Sequence, residues 1–283
     1  MKLSLSSKGL ALAFSLFAAG TAMAELPATL RIATDAESPP YSIAKPDGSV
    51  EGYEIDLIKV VCEKMGVECV VEVSDFSGMI PALTAGKFDV IMASMSITDK
   101  RREVIEFSVP YGGTGNTMAA LKGSGLDAMP TSDGKLSLLS PDTPAILAKM
   151  TEVLTGKVIG VEAASVSADF AKTNFGAVAT IREYQKSDEI TLDLLAGRVD
   201  AMVNGRSYIF NALQQPENAG LMLVGPVFDE GMFGLGTGLG LRKEDTELKA
   251  GLDAALTEAA ADGTMKELSM KWFGFDVTPA SLR

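Results

Sequence analysis

LTAGKFDVIMASM, Leu83 to Met95, recurs in altered form as LLAGRVDAMVNGR, Leu194 to Arg206, 111 residues further on. In each copy a helix end and a glycine (Gly86, Gly197) lead through a basic residue to an apolar run that begins with an aspartate, Asp89 or Asp200. Glycine past a helix end adopts the left-handed conformation that stops the helix, and the apolar run suits a buried strand. The repeat therefore predicts a helix, stop, strand unit in each of two similar halves. Ligands of open α/β sheets bind past the carboxyl ends of strands. That rule points to Ser94, Met95 and Ser96 in one half, to Asn204, Gly205 and Arg206 in the other, and to a site between two lobes.

The chain opens with Lys2 and Lys8, an apolar run from Gly9 to Ala24, and Ala22-Met23-Ala24 before Glu25. This is the pattern of a secretory signal peptide cleaved after Ala24. The run is shorter than the roughly 20 residues of a membrane-spanning helix. A mature chain of 259 residues (283 − 24) suits two lobes with separate cores. The net charge of −12 becomes −14 once the two leader lysines are gone. An acidic surface without a basic stripe argues against nucleic acid or anionic lipid as partner.

The two cysteines, Cys62 and Cys69, lie close together in an exported chain and are read as a disulfide, which over so short a loop is worth about 2 to 3 kcal/mol. The alternative is a pair of free buried thiols. The chain has no histidine, so two sulfurs cannot complete an ordinary zinc site, and neither a Ser-His-Asp nor a Cys-His arrangement exists. No metal or cofactor is expected.

Leu30–Thr34 and Lys157–Val161 read as corresponding strands, and Ser165 or Ser167 as the cap of a helix towards Asn174. Tyr53–Met65 reads as an amphipathic helix with Ile55, Leu57, Ile58, Val61 and Met65 inward and the charges opposite. EFSVPYGGTGNTMAAL, Glu106 to Leu121, reads as a bending strand that crosses between lobes. A helix is expected over 144–154, a return to the first lobe near Pro226, and helices over 245–261 and 265–273. GMFGLGTGLGL, Gly231 to Leu241, fits no GxGxxG register and reads as a close-packed hinge strand, not a nucleotide loop. The expected division is residues 1–24 as leader, 25–114 with 222–283 as lobe I, and 115–221 as lobe II.

Past the first repeat, Ser94, Ser96, Thr98 and Arg101 cluster. Hydroxyls, helix-start amides and the planar fork of arginine suit a small carboxylate. Equally, Thr98 can cap a helix whose DKRRE turn is a solvated face.

The segment AGKFDVIMASMSITDKRREVIEFSVPY, the opening LRIATD with PPY, GYEIDL, the Cys62 and Cys69 pair and GLRKEDTELK together resemble the periplasmic solute-binding proteins of polar amino acid ABC importers. The Ala128–Pro130 insertion and the ending KWFGFDVTP resemble the octopine and nopaline binders of that group. The resemblance covers essentially the whole mature chain. It implies an α/β, two-lobed periplasmic binding protein fold (type II), each lobe a mixed sheet flanked by helices, joined by two crossover strands.

By the same resemblance Arg101 clamps the α-carboxylate of the ligand, and Ser94 and Ser96 hold its amine and carboxylate. Backbone N–H groups of Ser165 and Val166 meet the same carboxylate. Asp35 faces a cationic side chain, with Glu162 as a second cation partner. Phe76 packs on the ligand stem, or else is simply core. Two positions depart from the pattern: Ser38 stands where relatives carry an aromatic, and Gly205 where amino acid binders carry an aspartate for the α-ammonium and octopine and nopaline binders an amide-bearing residue, neither of which glycine supplies. Asn204 and Arg206 flank that gap. The ligand is accordingly expected to lack a free α-ammonium, to carry a substituted amine, or to be anionic.

The leading expectation is a periplasmic, monomeric, non-enzymatic receptor that captures a small polar amino acid or opine-like compound and delivers it to a membrane permease. The alternative is an exported cyclohexadienyl or arogenate dehydratase-like lyase on the same fold, which needs a general acid or base such as Glu162 or Asp35. A sensor domain of a signalling protein is disfavoured, because no spanning run precedes Arg283.

Overall fold

The computed structural model describes residues 27–131 and 134–283; the leader and its cleavage site lie outside them. Two sheets organise the chain. The first has strands Glu68–Val73, Thr29–Thr34, Val90–Ile91, Gly240–Leu241 and Glu106–Phe107 in that spatial order. The second runs Thr180–Tyr184, Val158–Glu162, Ala201–Gly205, Asn116–Leu121, Leu221–Asp229 and Lys135–Ser137. In both, three parallel strands are followed by an antiparallel one that arrives from the other part of the chain. A small three-stranded excursion over 37–51 rims the first lobe.

The repeat folds as helix, stop, strand in both copies. Met79–Thr84 and Ser187–Leu195 are the helices, and Gly86 and Gly197 sit at φ 72° and 69°, which side chains with a Cβ rarely adopt. The repeat aspartates have a shared task. Asp89 Oδ2 accepts the Arg31 amide at 3.0 Å, and Asp200 Oδ2 accepts the Val158 amide at 2.8 Å. Each carboxylate thereby sets the register of the strand beside its own. Arg31 and Lys157 supply the balancing charge.

The helix Tyr53–Met65 packs on the C-terminal helices Thr246–Ala261 and Thr264–Phe273 around Leu57, Ile58, Val61, Leu252 and Leu256. Cys62 and Cys69 are joined by a disulfide that ties this helix to the neighbouring edge strand. One expectation fails here. Glu54 is not on a charged face but fully buried, at 0% exposure. Its spacing to Ile58, Val61 and Met65 is that of one helix face, so the apolar stripe itself carries the carboxyl inward.

The return of the chain also differs from expectation. Leu221–Asp229 belongs to the second sheet along its length, paired with Asn116–Leu121 and Lys135–Ser137. The chain rejoins the first lobe at Leu235, whose amide donates to the Ile97 carbonyl at 3.1 Å; Thr237 then bridges Gly112 and Ser96 before Gly240–Leu241 enters the first sheet. The apolar residues Val224 and Phe228 are committed to the second core and hold the strand there past Pro226. Gly234 lies so near the Ile97 carbonyl that a Cβ would stand 1.9 Å from its oxygen. This glycine is required for the crossover to pass. No helix among the described residues is long and apolar enough to cross a membrane.

Candidate functional site

The two lobes face each other across a cleft of about 830 Å³, lined from both sides. Among the described residues four side-chain bonds span it. Arg101 Nη2 donates to the Ala164 carbonyl at 3.2 Å, Lys100 meets Asp169 at 2.7 Å, Ser77 donates to Gln185 at 3.0 Å, and Lys186 pairs with Glu37. The lobes are therefore in a closed arrangement.

Thr98 and Arg101 satisfy both sequence readings at once. The Thr98 hydroxyl caps the helix Asp99–Arg102 by accepting the Arg101 amide at 3.2 Å, which turns Arg101 alone of the basic run inward, to 8% exposure. Its Nη1 donates to the Ser96 carbonyl at 2.9 Å, and its guanidinium carbon lies 5.5 Å from the centre of the Phe76 ring. Burial lowers this guanidinium to about 10, with Asp169 and Glu162 opposing the shift. Its ties are to two carbonyls and a ring face, so among the described residues it is a cation without a bonded carboxylate. A ligand carboxylate would complete it.

Carboxyl groups line the same cleft. Asp35 accepts Ser38 Oγ at 2.6 Å and Ser42 Oγ at 2.7 Å and is 6% exposed. Glu162, at the carboxyl end of its strand on the second lobe, accepts Ser187 Oγ at 3.2 Å. Burial raises Glu162 to about 8, helped by Asp35, with the Ser187 bond and Arg101 pulling it down. Two carboxyl groups facing each other across a cleft favour a cation between them.

Ser165 is the helix cap, its Oγ accepting the Ala168 amide at 3.1 Å, whereas Ser167 donates instead to Asn116. The Ser165 amide is engaged by the Glu162 carbonyl at 3.3 Å, and Val166, the first residue of the helix, lines the cleft. Ser94, Ser96 and Phe76 line the cleft, as do Asn204, Gly205 and Arg206. Arg206 does not continue a strand; it opens the helix Arg206–Gln214. A Cβ placed on Gly205 would meet nothing nearer than Ser207 Oγ at 3.9 Å, so the missing side chain leaves space. Among the described residues the Arg206 side chain has no ion-pair partner.

Sequence reasoning missed Ser187, which receives Asn204 Nδ2 at 2.7 Å and relays it to Glu162. A serine at a helix start carries no signal of this. Nor did it find Ser42, whose bond to Asp35 depends on the excursion over 37–51.

Residues 30–275 match the model of the bacterial extracellular solute-binding proteins, family 3. The chain belongs to this family.

Like other family 3 solute-binding proteins, it has curated relatives over nearly its full length. It is 38% identical to the octopine-binding periplasmic protein of Rhizobium meliloti, covering 89% of this chain and 92% of the relative. It is 35% identical to the histidine-binding periplasmic protein of Escherichia coli, covering 98% and 99%. Among solved structures, an ancestral arginine-binding protein bound to arginine superposes with a TM-score of 0.75 at 32% identity, covering 88% of this chain and 100% of that one. The fold is that of a type II two-lobed binding protein, and the family 3 assignment makes the chain a solute receptor rather than an enzyme.

Proposed function

We propose that this protein is a periplasmic receptor for an opine-like derivative of a cationic amino acid, which it passes to the membrane permease of an ABC importer. The observation that carries the reading is the charge content of the cleft: a buried Arg101 with no carboxylate bonded to it among the described residues, together with the carboxyl groups of Asp35 and Glu162. On this reading Arg101, with Ser94, Ser96 and the Val166 amide, holds the α-carboxylate, and Phe76 packs on the ligand stem. Asp35 and Glu162 take the guanidinium or ammonium. Gly205 leaves room for a substituent on the α-amine, and unpaired Arg206 suits the second carboxylate that such a substituent carries. The octopine-, histidine- and arginine-binding relatives support the same ligand class.

Binding performs no chemistry. A ligand that touches both lobes favours the closed state by its differential affinity for it, and closure is what a transporter can sense. Residues 27–112 with 237–283 form the first lobe of this reading and 116–229 the second. The leader is removed after Ala24, and the mature protein acts as a monomer.

A thermal-shift screen of the refolded mature protein tests the proposal, because a ligand of the native state raises its stability. Saturable stabilisation by octopine or nopaline, larger than by arginine, lysine or histidine, is expected. A larger shift with free arginine would overturn the substituted-amine part, and no shift with any of these would overturn the ligand class.

A further inference from the structure

Glu54 is a charged residue type buried completely, and its contacts join two parts of the binding apparatus. Its Oε1 accepts the Ser94 amide at 2.7 Å and the Tyr111 hydroxyl at 2.5 Å. Ser94 stands at φ 50°, the left-handed region that costs a residue with a Cβ about 1 kcal/mol or more. Such a turn persists only when its surroundings hold it. Tyr111 sits in the first-lobe core where the first crossover begins; its amide donates to the Thr237 carbonyl of the second crossover, and its carbonyl accepts the Tyr53 hydroxyl at 2.9 Å.

We propose that Glu54 is a positioning residue of the cleft: one carboxyl oxygen pins the left-handed turn at Ser94 and fastens it to the crossover at Tyr111. The turn aims Ser94 and Ser96 at the cleft, and the Ser96 carbonyl in turn receives Arg101. The pin therefore reaches the carboxylate-binding arginine through a single short loop. Fastening the loop to the crossover makes the ligand contacts of the first lobe move with the hinge. The Oε2 atom has no partner among the described residues, so the hold is exerted through Oε1.

This inference rests on the proposed ligand role of the cleft, and two readouts separate them. Amide exchange at Ser94, followed in the ligand-free protein, needs no ligand. Octopine and L-arginine binding, followed by calorimetry, needs one. Glu54→Leu keeps bulk and removes the acceptor; Glu54→Gln keeps an acceptor oxygen in the same place. Ser94 exchange at least tenfold faster in Glu54→Leu, with affinity for the bound probe down at least tenfold, and both restored to within about threefold in Glu54→Gln, is the expected result. Wild-type exchange at Ser94 in Glu54→Leu would overturn the pin, and so would a Glu54→Gln protein that behaves like Glu54→Leu. Where Glu54→Leu does not fold, Tyr111→Phe takes its place and is expected to leave Ser94 protected while lowering probe affinity; unchanged affinity there would overturn the link to the crossover. If wild-type protein binds neither probe, the ligand assignment fails and the exchange data still decide the pin.

Discussion

Arg101 of the first lobe donates to the Ala164 carbonyl of the second at 3.2 Å, so the residue placed to grip a ligand is also a closure contact. The bond runs from a buried cation to a backbone carbonyl on an exposed turn, and an incoming carboxylate competes for the same fork.

Arg101→Ala is expected to leave the melting temperature of the ligand-free protein within a few degrees and to weaken ligand at least a hundredfold. Removing one partner of a desolvated charge pair costs about 2 to 5 kcal/mol. Calorimetry decides this; affinity within tenfold of wild type would remove Arg101 from the site.

Glu162 makes stability depend on pH. Its folded value near 8 is above the ordinary 4.5, raised by burial first and then by Asp35, with Glu37 adding and Ser187 and Arg101 opposing. A raised acid contributes its full stability below about 4.5 and loses it as pH climbs to about 8, because the unfolded chain releases the proton earlier. Ligand-free protein is expected to melt lower at pH 8 than at pH 5. Glu162→Gln should shrink that fall without abolishing it, since buried Glu54 is raised in the same direction. A cationic ligand favours ionised Glu162, so binding at about pH 7 should release a proton, seen as a buffer-dependent enthalpy that vanishes in Glu162→Gln.

The two cross-cleft ion pairs at the rim are expected to matter little. Lys100 is 75% exposed and Asp169 43%, and exposed pairs are worth about 0 to 1 kcal/mol. Lys100→Ala with Lys186→Ala should weaken ligand by less than about tenfold, and less still in about 0.5 M salt. A larger, salt-insensitive loss would mean that these pairs, not the ligand, hold the lobes together.

Two glycines predict opposite outcomes for one change. Gly234→Ala would drive a methyl to 1.9 Å from the Ile97 carbonyl at a φ of 78°, and a loss of at least about 3 kcal/mol, roughly 6 to 12 °C, is expected. Gly205→Ala meets open space and should melt within about 2 °C of wild type. Gly205→Asp should then shift preference towards free α-amino acids in a calorimetric comparison of arginine with octopine.

Much of the fold was legible because its signals are local. The 3.6-residue period of Tyr53–Met65, the glycine stops of the repeat and the serine cap at Ser165 each depend on residues a turn or two away. The end of the second sheet at Asp229 was not legible, since Leu221–Asp229 is held by pairing with strands 100 residues distant in the chain. Of the site, the structure brings Arg101, Ser94, Ser96 and Phe76 to one cleft, while the inward turn of Glu54 and the supports Ser42 and Ser187 came only with the structure.

The sequence alone determined the two-lobed plan, the disulfide between neighbours in the chain, and the types of residue that a carboxylate and a cation require. The plan and the disulfide follow from spacing, composition and the chemistry of single side chains, and the ligand-facing residue types from the resemblance to the family. Tertiary structure alone decided where the cleft charges stand, because burial and proximity set them: Glu162 is raised by its burial and then by Asp35 from the other lobe, Arg101 is lowered by being shut in, and Glu54 meets Ser94 40 residues on. Electrostatic energy depends on distance through space and on exclusion of water, and neither is written in the order of the residues.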